Sequence, residues 1–270
     1  MRRLLIRPGG IGDCILSLPA LEYLKAEYTE VWAPSSVIPL IQFADAVRPI
    51  ASTGLDLMGV GDLPTPAHLS TTLRTFDSIV TWYGSNRAAF RQAVLALGVP
   101  CQFHHALPSA GFNGHATDYF AQQVGAPRGL NPRIEIVPEL RRDSVVIHPF
   151  SGGLRKNWAL ACFRELASRL PCSVEWTAGP GEQLEGATRF TDLADLARWM
   201  TAARLYIGND SGITHLAAAL GIRTLALFGP TRPRAWAPRG ANVTIMYSDP
   251  LERLKVERVL GTANRLLVSP

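Results

Sequence analysis

The sequence predicts an α/β protein of two Rossmann-like domains, each a parallel sheet with helices on both faces, and three observations carry that prediction. Short apolar runs recur along the chain, and most of them exit into loops of glycine, proline and small polar residues. An amphipathic or alanine-rich stretch then follows before the next run. Alternation of this kind specifies parallel strands joined by crossover helices. The units fall into two sets divided by a charged, proline-led segment, and 270 residues exceed the usual size of one domain.

The first set begins at once. Leu4-Leu5-Ile6 reads as a strand and Arg7-Pro8-Gly9-Gly10-Ile11-Gly12-Asp13 as its exit loop; Ile15, Leu18, Leu21 and Leu24 then mark a helix. Pro19 predicts a kink or a late start there, because proline lacks an N–H and clashes with the preceding turn. Val31-Trp32-Ala33 is a second strand ended by Pro34, and residues 51–75, with Gly54, Gly59, Gly61, Pro64 and Pro66, read as loop. A strand over 78–82 leaves through Tyr83-Gly84-Ser85-Asn86 into a helix over 87–97. Prolines and glycines break up residues 100–139, where only a helix around 118–124 stands out. Pro138-Glu139-Leu140-Arg141-Arg142-Asp143 is the linker candidate. It places an N-terminal domain at 1–141, a second domain at 142–250 and a terminal helix in 251–270, which is expected to pack back on the N-terminal domain.

The second set is cleaner. Val145-Val146-Ile147 leads into His148-Pro149-Phe150-Ser151-Gly152-Gly153 and a helix over 158–170, and a strand over 173–177 leads into Ala178-Gly179-Pro180-Gly181-Glu182. Asp192 reads as the cap of a helix that buries Leu193, Leu196, Ala197 and Met200, spaced i, i+3, i+4, i+7. A strand over 204–207, a helix opening at Gly212, a strand over 224–228 ending at Gly229-Pro230, and a last helix over 251–267 complete the pattern.

Composition excludes several classes. Hydrophobic residues make up 47% and charged residues 18%, as in a soluble enzyme, and no apolar run reaches the roughly 18 residues of a membrane span. The basic start lacks the long apolar core of a signal peptide. Cys14, Cys101, Cys162 and Cys172 have no metal-like spacing, so reduced, mostly buried thiols and a cytoplasmic setting are expected. The net charge is +5, and it is unevenly placed: residues 1–141 hold 11 basic and 11 acidic side chains, residues 142–270 hold 16 and 11. Without basic runs interleaved with aromatics, nucleic acid is not indicated; a polyanionic small molecule bound by the second half is.

Gly208-Asn209-Asp210-Ser211-Gly212 is the place for it. An apolar run ends there and an alanine-rich helix begins, so first-turn N–H groups and the helix dipole favour an anion such as phosphate. The plainer reading is that Asp210 or Ser211 simply caps the helix.

Three segments together resemble glycosyltransferase family nine, the ADP-heptose:lipopolysaccharide heptosyltransferases. They are Gly9-Gly10-Ile11-Gly12-Asp13 with Leu18-Pro19-Ala20-Leu21; His148-Pro149 with Ser151-Gly152 and Lys156-Asn157-Trp158; and Gly208-Asn209-Asp210-Ser211-Gly212 with His215-Leu216-Ala217-Ala218, running to Leu227-Phe228-Gly229-Pro230-Thr231. The likeness covers most of 144–240 and about the first 25 residues. It implies the GT-B fold, in which two Rossmann-like domains face a central cleft.

The resemblance also implies roles. Asp13 looks like the general base, against the plainer reading of a helix cap. Lys156 is similar to the lysine that neutralises the leaving diphosphate, where a solvated lysine is the dull alternative. Gly10, Gly12, Ser151, Gly152, Asp210, Ser211, Gly212 and His215 would surround the donor, with Asp210 fixing the turn or meeting a sugar hydroxyl rather than touching phosphate. His215 reads equally as a buried structural histidine. Glu182 lies where the family holds the ribose, or is an exposed loop glutamate. Tyr83, Ser85, Asn86 and Arg87 are acceptor-side candidates.

Neither Asp-x-Asp nor a His/Cys cluster occurs, so positive charge and helix dipole would stand in for a divalent ion. The expected chemistry is inverting, metal-independent transfer of a heptose or related sugar, with no cofactor beyond an ADP-heptose-like donor, to a glycan or lipid-linked glycan at the cytoplasmic side of the inner membrane. Departures bear on the acceptor: the first domain is short and charge-balanced, whereas a phosphorylated lipid core favours a basic pocket. Ala159 replaces a common proline and Ser211 a common threonine. A non-catalytic nucleotide-sugar-binding module and a dinucleotide-dependent oxidoreductase are the alternatives; the second suffers from the missing G-x-G-x-x-G register.

Overall fold

The computed structural model describes residues 1–61, 65–109 and 111–268. Pro64 of the loop-like stretch and residues 269–270 of the terminal segment lie outside them. The chain divides into two compact units, Met1–Phe112 with Ala116–Leu130 and Asn131–Pro270 with Asn113–His115.

The first unit is a five-stranded parallel sheet of β1 (Arg2–Ile6), β2 (Tyr28–Ala33), β3 (Ala46–Pro49), β4 (Ser78–Thr81) and β5 (Cys101–Phe103), in the order β3-β2-β1-β4-β5. Its helices are α1 (Ile11–Tyr23), α2 (Ala67–Leu73), α3 (Ala88–Leu95) and α4 (Ala116–Gln123). Leu4, Ile6, Trp32 and Ile79 pack with Leu69, Phe90 and Val94, while Leu5 and Val31, which alternate onto the opposite face, are also fully buried. Both faces are therefore covered, as the near-continuous apolar strands require. The direction of winding reverses between β1 and β4, so the loops leaving them flank a crevice suited to a ligand.

Helix α1 begins at Ile11 and runs through Pro19, so the late start expected from that proline does not occur. Pro19 has no N–H for the carbonyl of Ile15, but residues Cys14 to Leu21 are buried without interruption, and that packing outweighs the missing bond. The stretch read as loop contains α2, preceded by two short 3-10 turns.

The second unit holds β6 (Ser144–His148), β7 (Ser173–Trp176), β8 (Leu205–Asn209), β9 (Thr224–Phe228) and β10 (Val243–Tyr247), all parallel, in the order β10-β9-β8-β6-β7. Helices α5 (Leu160–Arg169), α6 (Leu193–Thr201), α7 (Gly212–Ala219), α8 (Pro233–Trp236) and α9 (Val256–Val268) accompany them. Asp192 caps α6 as expected, accepting from the Ala194 N–H at 2.6 Å; Leu196, Ala197 and Met200 are buried and Leu193 half-buried. Val145, Ile147, Leu205, Ile207, Leu225 and Leu227 form one core with Phe163 and Leu166 of α5 and Val259 and Ala263 of α9. The apolar face of α9 is thus taken up in the second unit's own core.

Three strands lie beyond the sequence expectation, β3, β5 and β10, and each is a sheet edge. An edge strand has one covered neighbour, so short, half-exposed segments suffice and leave a weak apolar signal. The cysteines need correction as well. All four are free, but only Cys14 is buried; Cys101, Cys162 and Cys172 are half-buried. Burial pushes the thiol of Cys14 up to about 11 and that of Cys101 up to about 12.

Candidate functional site

The second unit's strand order reverses between β6 and β8, and the loops leaving these two strands carry most of the predicted donor residues. Lys156 follows β6 and Asp210 follows β8, and the structure pairs them: Lys156 Nζ lies 2.8 Å from Asp210 Oδ2. The carboxylate is 6% exposed and the lysine 38%, so Asp210 is a buried anchor and Lys156 a half-exposed cation held beside the start of α7. Lys156 is thus tied to a buried carboxylate while part of its side chain stays in water.

Ser211 is the cap of α7, its hydroxyl accepting from the Thr214 N–H at 3.3 Å. Gly212 and Ile213, the first two residues of the helix, receive no capping side chain among the described residues, and their N–H groups lack intrahelical acceptors. A network underneath makes the turn rigid. Thr214 Oγ1 donates to the Asn209 carbonyl and lies 3.1 Å from the Tyr206 hydroxyl and 3.2 Å from that of Ser211. The Asn209 side chain accepts from the Trp158 N–H at 3.0 Å and donates to the Pro149 carbonyl at 2.7 Å, joining the β8 loop to the β6 loop. Tyr206 is fully buried, and burial raises its phenol well above the ordinary value. A β-carbon on Gly208 would stand 2.4 Å from that hydroxyl, so only glycine fits there.

Ser151 turns its own loop, donating to the Gly153 carbonyl at 2.9 Å, and Gly152 is exposed with open space around it. His215 is buried within α7. Glu182 is not the free loop glutamate of the plainer reading: its Oε2 accepts the Gly179 N–H at 2.6 Å and lies 3.0 Å from His148 Nε2. Burial pushes this carboxyl up, yet the bonds from His148 and Gly179 more than offset it and hold it below the ordinary value. Its Oε1 takes no bond from the described residues, and Arg189 ties the loop down by donating to the Gly179 and Glu182 carbonyls.

The first unit holds the remaining candidates. Asp13 is not the cap of α1. Gly10 is the cap, and Asp13, three residues on, reaches back so that its Oδ2 accepts the Gly10 N–H at 3.0 Å. Gly10 and Gly12 were expected at the donor; the Gly10 N–H is already engaged by this carboxylate, which also stands where an anion would otherwise sit. Gly9 has φ +124° and a β-carbon there would meet Asp13 Cβ at 3.0 Å, so the turn needs glycine.

Sequence reading passed over Arg7. It is fully buried, with its guanidinium donating to Ser17 Oγ at 2.9 Å and to the carbonyls of Pro8, Ala106 and Asp13 at 2.8, 3.2 and 3.0 Å, and it lies 4.5 Å from the centre of the Phe120 ring. Burial lowers its pKa below the ordinary arginine value. The available signal was an arginine ending an apolar strand, a position that strand geometry directs inward.

A pocket of about 470 Å³ opens at the carboxyl ends of β1, β2 and β4, and Tyr83 lines it. The other acceptor-side candidates do not. Arg87 donates to the Met58 carbonyl at 3.3 Å, Ser85 offers its carbonyl to Arg91 at 3.4 Å, and Asn86 is exposed. Among the described residues no group of three or more His, Cys, Asp or Glu side chains is arranged to hold a metal ion.

Residues 84–260 match the family described as glycosyltransferase family 9 (heptosyltransferase). Lipopolysaccharide heptosyltransferase 1 of Pseudomonas aeruginosa is 34% identical over 110 residues, 35% of this chain and 31% of that protein, so the aligned stretch spans about a third of the relative. The structure is similar to that of E. coli ADP-heptose lipopolysaccharide heptosyltransferase II, with TM-score 0.77 over 99% of both chains at 17% identity. It is also similar to the iron-containing dodecameric glycosyltransferase TibC of enterotoxigenic E. coli, with TM-score 0.66 over 99% of this chain and 78% of that one at 15% identity. At such identities these two likenesses speak for the fold. With the matched stretch covering well over half of its length, the chain belongs to glycosyltransferase family 9, the heptosyltransferase family.

Proposed function

We propose that the protein is an inverting glycosyltransferase that moves a heptose, or a closely related sugar, from ADP-heptose to a glycan or lipid-linked glycan acceptor on the cytoplasmic side of the inner membrane. The observation that carries this reading is the Lys156–Asp210 pair beside the open first turn of α7. Lysine, uncapped N–H groups and helix dipole all belong to the junction of the Asp210 turn with α7, where a diphosphate would be neutralised as the glycosidic bond breaks. Asp210 holds the lysine ready without itself facing the phosphates. Ser151 and Gly152 would add contacts from the neighbouring loop, and the unoccupied Oε1 of Glu182 suits a ribose hydroxyl.

Asp13 would act as the base. One oxygen is fixed by Gly10, and Oδ1 takes no bond from the described residues, so it can accept the proton of an acceptor hydroxyl as that oxygen attacks the anomeric carbon. Attack opposite the departing ADP inverts the configuration there. Gly10 and Gly12 shape this loop rather than touch the donor. The same arrangement disfavours a dinucleotide at α1, since a pyrophosphate would meet a carboxylate. Lys156 and α7 can supply the charge compensation that a divalent ion gives elsewhere, which is the basis for proposing metal-independent transfer; activity abolished by EDTA and restored by a metal would overturn that part.

A thermal-shift panel of ADP, UDP and GDP tests the core of the reading. ADP is expected to raise Tm most, because a ligand bound only by the folded state stabilises it. Lys156→Ala is expected to weaken ADP binding about tenfold, roughly 1.4 kcal/mol. No shift with any nucleotide would sink the proposal.

A further inference from the structure

We infer that the pocket of the first unit receives an uncharged sugar, a glycan or glycoside without phosphate or carboxylate groups, as the acceptor. The inference rests on the transferase reading above and names the substrate class for it.

The pocket adjoins the reacting group. Gly9 forms part of its wall, and Asp13 Oδ2 lies 3.2 Å from where a β-carbon of Gly9 would be. An acceptor seated there brings a hydroxyl to the base without leaving the first unit. The wall is apolar at Pro8, Pro34, Ile50 and Ala51, which suits the C–H face of a sugar ring, and polar at Ser35, Asp56 and Tyr83. A carboxylate accepts hydrogen bonds from ring hydroxyls, and a serine hydroxyl or a phenol can give or take one.

The charge of the wall sets the class. Among the described residues, no lysine, arginine or histidine lines the pocket. Asp56 is exposed and has no ion pair among the described residues. The arginines nearest in sequence to the lining are engaged elsewhere: Arg7 in its buried network, Arg48 on Glu30 at 2.7 Å, and Arg87 on the Met58 carbonyl. An anionic acceptor would sit beside two carboxylates, Asp13 and Asp56, with no cation among the described lining residues. Repulsion of this kind is how a site rejects a close analogue. The apolar carbons of the wall, with the hydroxyls of Ser35 and Tyr83, suit the two faces of a neutral ring.

The test uses the full chain, ADP-heptose labelled in the sugar, and an array of neutral glycans beside phosphorylated, carboxylated and amine-bearing counterparts. Label is expected on neutral glycans about tenfold or more above the acidic ones, and Asp56→Lys is expected to reduce that ratio to about twofold while leaving the ADP thermal shift unchanged. With the ADP shift present, label chiefly on acidic or amine-bearing glycans, label on none, or a ratio indifferent to Asp56→Lys overturns the acceptor inference alone. Loss of the ADP shift in the unmodified chain overturns the transferase reading with it.

Discussion

The chain builds the same local device twice, a strand, a glycine turn and a helix N-terminus with an aspartate, and treats the helix end in opposite ways. In the first unit Asp13 bends back to accept the Gly10 N–H, so the helix supplies its own anion. In the second unit Ser211 caps, Asp210 is buried against Lys156, and the first-turn N–H groups of Gly212 and Ile213 face no carboxylate capping them. One end presents a carboxylate; the other presents uncapped N–H groups near a lysine. Position within the turn makes the difference. An aspartate three residues into the helix can reach back to the cap, whereas the one just before the cap leaves capping to Ser211 and pairs with Lys156.

The pair Asp13→Asn and Asp210→Asn tests this contrast most severely. Asparagine at 13 keeps an acceptor for the Gly10 N–H but cannot take a proton, so kcat is expected to fall about 10³-fold with ADP binding intact. At 210 the change releases Lys156, and a loss of about tenfold, expressed mainly in nucleotide affinity, is expected. Steady-state kinetics with ADP titration would separate them, and equal profiles would end the comparison.

A smaller effect concerns the support beneath the second turn. Gly208→Ala drives a methyl into the fully buried Tyr206 hydroxyl and is expected to cost about 2 kcal/mol in urea unfolding. Gly152→Ala, which meets open space, is expected to stay within about 0.5 kcal/mol. Similar costs at both sites would mean the network under α7 is not rigid.

The smallest effect is electrostatic. Because the Glu182 pKa is depressed in the folded state, the stability it provides is present above its unfolded value near pH 4.5 and is lost as pH falls through the lower folded value. Melting curves across the acid range should show Glu182→Gln about 1 kcal/mol less stable at neutral pH and converging with the unmodified protein in acid. A constant difference down to the lowest pH would show that the carboxylate's charge is not what ties the β7 loop to His148.

The sequence by itself determined the α/β class, the central strands of both sheets, the cap at Asp192, and the position of the two glycine turns; the structure chose Ser211 over Asp210 as the cap of α7. Each follows from local physics: buried parallel strands must be continuously apolar, and helix starts need an acceptor for orphaned N–H groups. Local pattern could not supply three of the four edge strands, whose exposed side relaxes the apolar requirement, or the start of α1, where burial around Pro19 overrides a helix breaker. The site was half legible for the same reason. Asp13, Lys156 and Asp210 stand out by type and spacing, but their partners are fixed by distance through space. Lys156 meets Asp210 across 54 positions of chain only because β6 and β8 are neighbours in the sheet, and Arg7 reaches Ala106 only because the first unit folds its loops over one buried cation. Strand order, which no local signal encodes, decided which loops share a crevice and so which candidates form a site.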